Sequence, residues 1–301
     1  MENMKIRTLF DAHPQTFSFE FFPPKTAEDG EALFDRAREL QKLGASFCSV
    51  TYGAGGSTRK NTIDLVCRFQ AELGLIGMAH LTCVGHSQTE LRDILFELKD
   101  RGVENLMCLR GDPPRGETVF TPAPDGFTHA AELVALARRS GDFCIGVAGY
   151  PEAHPESVDA LQDLQYLKAK VDCGADFVTT QLFFDARDYF DFVSRARQLG
   201  IRQRIIPGIM PILNYRQIVR FTRMCGASIP LVLQERLEPV AEDADAVFEI
   251  GVDWAWQQCE TLLAGGAPGI HFYTLNRSRA TQLIFERLRQ SSVSPLLPPA
   301  A

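Results

Sequence analysis

The chain has 301 residues, 45% of them hydrophobic, and a formal net charge of -7. That apolar content supports a sizeable core, while the acidic balance argues against nucleic acid or an anionic membrane surface as partners. Its eight cysteines form no C-x-x-C pair and no zinc spacing, and no run approaches the roughly 18–20 apolar residues of a membrane span, which points to a cytoplasmic protein with reduced thiols and no metal.

Eight short apolar runs alternate with amphipathic segments. The runs fall at 17–22, 46–50, 76–81, 105–109, 144–148, 176–180, 205–209 and 269–273. Helical patterns follow at 29–43, 58–73, 88–101, 129–140, 157–173, 185–199, 214–225 and 276–290. Short apolar strands each followed by a helix predict a parallel sheet covered by helices. Eight such units predict an α/β fold, a (β/α)8 TIM barrel, with an open doubly wound sheet as the alternative. Residues 227–264 leave room for extra helices before strand eight. The whole span 1–301 reads as a single catalytic barrel domain, with residues 1–12 and 292–301 frayed.

In such a barrel the strand ends and the loops after them carry the chemistry. The first run, Phe17-Ser18-Phe19-Glu20-Phe21-Phe22, holds a carboxylate, and Pro23-Pro24 ends its ladder. Glu20 is either paired with Lys or Arg on an edge strand, or sits near the barrel mouth. In the second case its phenyl neighbours would desolvate it and raise its pKa, as suits a proton donor. The stretch "TYGAGGSTRKN" (51–61) departs from G-x-G-x-x-G at Thr58 and reads as a tight turn whose backbone can approach a flat ligand. His80 and Thr82 end the third run. "CLRGDPP" (108–114) places Arg110 and Asp112 beyond the fourth, as a local ion pair or as a cation and a carboxylate for a ring-bearing ligand.

"GYPEAHPES" (149–157) supplies Tyr150 and His154 and leads into a helix whose core stripe is Leu161, Leu164, Leu167 and Val171. Asp163, Tyr166 and Lys170 cluster on the shoulder of that stripe, as surface residues or as a ligand wall. "TTQLFFD" (179–185) ends the sixth run with Gln181, whose amide can donate and accept, and Asp185 is an N-cap. "HFYTLNR" (271–277) ends the eighth, with Asn276 as N-cap and Arg277 aimed at an anion in the mouth.

The stretches "SFEFFPPKT", "VTYGAGGSTR", "HLTCVG", "LRGDPP", "GYPEAHP", "KVDCGADFVTTQLFFD", "PGIMPILNYRQI" and "GIHFYTLNR" together resemble the bacterial single-domain form of the methylenetetrahydrofolate reductase family. They run in order over nearly the whole chain. The resemblance implies a (β/α)8 flavoprotein with ping-pong hydride transfer from NAD(P)H to FAD, then from FAD to 5,10-methylenetetrahydrofolate, giving 5-methyltetrahydrofolate. It implies Glu20 as the acid that protonates N10 of the folate and Asp112 as the carboxylate at flavin and pterin. Thr51, Tyr52, Ala54, His80, Arg110, Gly111, Tyr150, His154, Asp163, Ala169 and Lys170 match FAD contacts, with His129, Ala130 and Tyr166 alongside them. Gln181, Gln217, Phe221 and Arg277 match substrate contacts, Phe221 by stacking.

Three positions depart from the family pattern: Tyr166 replaces a frequent Asn, Ala169 a frequent basic residue, and His129 stands near a frequent Tyr. They bear on the adenosine and pyrophosphate end of FAD. The resemblance further implies a homo-oligomer without the S-adenosylmethionine-sensing domain of eukaryotic relatives. No basic cluster is dedicated to a 2′-phosphate, which favours NADH over NADPH. Two other readings stand beside this one: another FAD barrel, proline-dehydrogenase-like, and a flavin module that takes its electrons from a partner protein.

Overall fold

The computed structural model describes residues 5–24, 26–53, 59–113, 116–117 and 119–291. The strands are β1 (Thr16–Phe21), β2 (Phe47–Val50), β3 (Gly77–Thr82), β4 (Asn105–Leu109), β5 (Cys144–Gly149), β6 (Phe177–Thr180), β7 (Arg204–Ile206), β8 (Gly208–Ile209) and β9 (Gly269–Tyr273). All pair in parallel, in the spatial order β7-β6-β5-β4-β3-β2-β1-β9-β8.

The two ends of that order are halves of one run. Pro207 separates β7 from β8 and has no N–H to give a ladder, but its carbonyl accepts from His271 N at 2.9 Å. β7 pairs with β6 and β8 with β9, so residues 204–209 close the sheet into a barrel. The eight expected strands are therefore present, the seventh in two pieces.

The strand runs are nearly all apolar because helices cover them on the outside and neighbouring strands fill the lumen. On β1 the odd positions face outward. Phe17 and Phe19 meet the Phe285 ring edge-on at 4.9 and 5.9 Å, and Phe21 lies 5.6 Å from Phe69. Each such buried ring contributes about 1.5–3 kcal/mol. Strand alternation then turns Ser18 and Glu20 into the lumen.

The covering helices are α2 (Ala27–Lys42), α3 (Arg59–Leu73), α4 (Gln88–Asp100), α5 (Ala130–Ser140), α6 (Ala160–Asp172), α7 (Ala186–Gln198), α8 (Tyr215–Cys225) and α11 (Ser278–Gln290). Asp185 caps α7 as expected, accepting from Arg187 N. Between α8 and β9 lie α9 (Leu231–Leu237), a 3-10 turn at Glu238–Val240 and the 21-residue α10 (Ala244–Ala264). From α10, Gln258 Nε2 donates to Phe183 O (2.9 Å) and Trp254 Nε1 to Phe184 O (3.0 Å), which fixes the loop after β6. No helix among the described residues is long and apolar enough to cross a membrane.

One further element corrects the expectation of a frayed start over residues 6–12, while residues 1–4 and 292–301 lie outside the described residues. Residues Ile6–Ala12 form α1, which plugs the N-terminal end of the barrel. Ile6 and Phe10 are buried there with Phe47, Met78, Met107 and Phe177. A seven-residue helix shows too few turns to produce a periodic signal. Asn105 fastens it: its Oδ1 accepts from Ile6 N at 2.8 Å and its Nδ2 donates to Gly77 O at 3.1 Å. Asn105→Ala strands two buried backbone groups and is expected to cost about 1–3 kcal/mol. The check is a urea titration, with a lower midpoint at an unchanged slope.

Candidate active site

A cavity of about 780 Å³ opens at the C-terminal ends of the strands. It gathers Glu20 from β1, Thr51 and Tyr52 after β2, His80 from β3, and Arg110, Gly111 and Asp112 after β4. Tyr150 and His154 come from the loop after β5, Gln181 from the end of β6 and Phe221 from α8. His129 and Ala130 enter at the start of α5. On α6, Asp163, Tyr166, Ala169 and Lys170 all face the cavity, so the shoulder of that helix is a wall of the site and not free surface.

Two expected residues are not brought in, and a third, Ala54, lies outside the described residues. Gln217 does not line the cavity but sits one turn before Phe221 on α8. Arg277 is exposed and also lies off the cavity wall. Beside it Asn276, which was expected to cap α11, does not do so. Its amide instead clasps the Phe22 peptide, accepting from Phe22 N at 2.8 Å and donating to Phe22 O at 2.9 Å. Asn276 adopts φ 58° to do so, and Arg277 is left in the cap position without a side-chain cap bond.

Glu20 is buried, 9% exposed, on a strand paired on both sides, so the edge-strand alternative does not hold. Its Oε2 lies 3.4 Å from His80 Nε2 and 3.6 Å from His271 Nε2. The phenyl rings of β1 point the other way, so the expected reason for a raised pKa is absent. Burial does push the carboxyl up, but contact with His271 and the charge on His80 outweigh it, and the net direction is down. His80 moves down as well, because burial penalises its cation more than Glu20 supports it.

At the other end of the cavity, Lys170 donates to Ala148 O at 2.5 Å. The residue is half-buried, yet protein atoms crowd its ammonium and push its pKa down to about 8, with Asp163 opposing. Burial likewise raises Asp163, against the pull of Lys170. Arg110 is held by Glu156 through two bonds of 2.5 and 2.7 Å and lies over the Phe120 ring at 4.7 Å. Its ion pair is thus with Glu156, not with Asp112. His129 and Tyr166 stack, centroids 6.0 Å apart at 19°. Gln181 Oε1 accepts from Leu182 N at 2.8 Å, which leaves its NH2 to donate elsewhere.

Among the described residues, Thr82 Oγ1 and Thr179 Oγ1 are buried in the wall with no hydrogen-bond partner, and His80 Nε2 makes no hydrogen bond and faces only the Glu20 carboxylate at 3.4 Å. Such atoms are costly in a closed protein and suit the polar edge of a ligand. Cations at one end, a buried carboxyl with two imidazoles in the floor, and an amide with an aromatic ring at the rim fit a long ligand with an anionic middle and a flat polar ring. Among the described residues no cluster of His, Cys, Asp or Glu could hold a metal.

His271 and Tyr273 are cavity residues that sequence reasoning missed. The signal was there: in "GIHFY", Ile270 and Phe272 alternate with them, and one of the two sets had to face the lumen.

The family model for methylenetetrahydrofolate reductase matches residues 5–289. A methylenetetrahydrofolate reductase (NADH) of Arabidopsis thaliana is 40% identical over 308 residues, covering 98% of this chain and 52% of that protein. The 5,10-methylenetetrahydrofolate reductase of Salmonella typhimurium is 38% identical over 271 residues, covering 90% of each chain. The chain thus spans about half the length of the plant relative and nine-tenths of the bacterial one. Among solved structures, an uncharacterized protein from Clostridium thermocellum, which binds two copies of 5-methyl-5,6,7,8-tetrahydrofolic acid, has a TM-score of 0.64 at 14% identity. That likeness covers 95% of this chain and 99% of the other, and it is one of fold.

Proposed function

The chain belongs to the methylenetetrahydrofolate reductase family, and from that premise we propose that it interconverts 5,10-methylenetetrahydrofolate and 5-methyltetrahydrofolate with FAD as cofactor and NADH or NADPH as electron donor. The observation that carries this reading is that one cavity joins a buried carboxyl, a rim amide, Lys170 and the Glu156-paired Arg110. FAD, when bound, supplies a hydride carrier that nicotinamide and folate meet in turn.

The residues present suit that group. Lys170 would hold the pyrophosphate together with Arg110, which already carries Glu156, and the Thr82 and Thr179 hydroxyls with the His80 ring would offer polar walls to a flat ring. Glu20 holds the proton that goes to N10 of the folate. The bond from the bridging methylene to N10 breaks, the electron pair stays on N10, and the methylene is left as a cation shared with N5. That carbon takes the hydride and becomes the methyl group. Asp112, exposed at the mouth, places negative charge where this cation develops. Gln181 donates to the carboxamide of one substrate and the pterin of the other, and Phe221 stacks on whichever is bound.

The test is anaerobic spectroscopy of the purified protein. FAD uptake, bleaching by NADH and return of colour on adding 5,10-methylenetetrahydrofolate are expected. Failure to take up FAD, or bleaching by proline in place of NADH, overturns the reading.

Lys170 adds a pH dependence. Below pH about 8 the ammonium is already charged, and affinity for an anionic cofactor does not change with pH. Above that value binding must take up a proton, so affinity falls by up to about ten-fold per pH unit. Titrating the apoprotein with FAD by fluorescence should show roughly ten-fold weaker binding one unit above that pKa, and Lys170→Met should flatten the slope.

A further inference from the structure

We infer that His271, anchored by Ser18, is a positioning residue for Glu20: it fixes the carboxyl against the lumen wall and governs how readily that carboxyl holds its proton. The inference rests on the proton-donor role proposed above for Glu20 and names what controls it.

The pairing of β1 with β9 sets Ser18 beside His271 and Glu20 beside Tyr273. Ser18 and His271 are both buried, 0% and 1% exposed, and Ser18 Oγ lies 2.8 Å from His271 Nδ1. That bond occupies one ring nitrogen and turns the other, Nε2, to Glu20 Oε2 at 3.6 Å. The Tyr273 ring stands edge-on to the imidazole at 5.3 Å and 89°, and is itself held by donation from its hydroxyl to Thr180 O at 2.6 Å. The imidazole therefore has one seat.

If Ser18 donates to Nδ1, the neutral ring carries its proton on Nε2. If the ring is doubly protonated, Nδ1–H donates to Ser18 Oγ and Nε2 again carries a proton. Both states present an N–H to the carboxylate that remains once the proton has gone to N10, whereas the neutral ring protonated on Nδ1 would offer Nε2 only as an acceptor for the protonated carboxyl. The other groups facing Glu20 are His80 from β3 and Tyr273 from β9, with Ser49 beside it in register on β2. Among the described residues the ion-pair partners of Glu20 are these two imidazoles alone.

The sign follows. Contact with His271 favours the carboxylate, so removing Nε2 lets Glu20 keep its proton to higher pH. His271→Asn keeps an amide that can reach Ser18 but has nothing at the Nε2 position. The falling limb of the folate half-reaction should then move alkaline by about one to two pH units, with a lower maximal rate. The pH profile of reduction by NADH should stay in place. His271→Gln, whose longer amide reaches toward Nε2, should restore part of the shift. Ser18→Ala, which keeps the imidazole but releases its anchor, should shift the limb less and in the same direction, and serves if the asparagine variant does not fold.

An infrared titration of the holoprotein supplies a readout apart from turnover. The protonated-carboxyl band that Glu20→Gln abolishes should persist to higher pH in His271→Asn. Superimposable infrared titrations and pH profiles for wild type and variant overturn the inference, as does an equal drop in both half-reactions without a shift. Absence of a folate half-reaction in the wild type defeats the proposed function instead, and the infrared titration still decides the role of His271.

Discussion

Glu20→Gln is expected to slow reoxidation of the reduced flavin by 5,10-methylenetetrahydrofolate about 10²–10⁴-fold while leaving reduction by NADH nearly unchanged. The substitution keeps the volume of a side chain that is 9% exposed and can still meet His80 and His271. What it removes is the transferable proton. Without it N10 must leave as an anion, and the barrier rises by roughly 3–5 kcal/mol. Hydride from nicotinamide to flavin needs no such proton, so the two half-reactions should separate. Anaerobic stopped-flow traces of each half-reaction provide the measurement. Equal survival of both would place the acid elsewhere, and equal loss would make Glu20 structural. A pH consequence accompanies this. With its pKa held below the ordinary carboxylate value in the open cavity, Glu20 loses its proton as pH rises. Burial is the contribution that opposes this loss, so a folate that seals the lumen moves the carboxyl up. The folate half-reaction should therefore slow with rising pH while the nicotinamide half-reaction does not.

The features that were legible in the sequence share a physical cause. Strands buried on both faces are continuous apolar runs, so all eight staves could be read, and most of the residues singled out just past them line one cavity, with Asn276 and Arg277 among the exceptions. Strand-end reading singled out Glu20, Asp112 and Gln181, family resemblance gave them roles, and all three line the same cavity. What failed depended on direction or on long-range partners. The phenyls beside Glu20 in sequence lie across the sheet from it, because adjacent strand residues face opposite ways. His271 comes to Glu20 from 251 positions away through strand pairing. Asn276 left its cap for the Phe22 peptide, 254 positions distant, and local capping rules cannot see that peptide. The short α1 draws its order from Asn105 and the barrel floor and not from its own periodicity.

Gly269→Ala should be the most damaging single methyl addition at the seam that carries Glu20 and His271. Gly269 has φ 132°, and a Cβ built there would lie 1.8 Å from Thr16 O, 2.6 Å from Thr16 N and 2.7 Å from Thr16 C. Those atoms are backbone and cannot rotate away, so β9 would have to part from β1. Adding the strain of an L-residue at that φ to the overpacking gives a loss of roughly 2–6 kcal/mol. Against a typical total of about 5–15 kcal/mol, that leaves the barrel marginal or unfolded. Gly266, three residues earlier, separates the two contributions. Its φ is 88°, but nothing lies within 4 Å of a Cβ built there. Gly266→Ala should therefore cost only the backbone penalty, about 1 kcal/mol. Urea midpoints of the two variants test the difference. Equal losses would mean that the β1–β9 seam yields to a methyl group. A large loss at Gly269 alone would mean that the hydrogen-bonded edge between these strands is what holds Ser18, Glu20 and His271 in register.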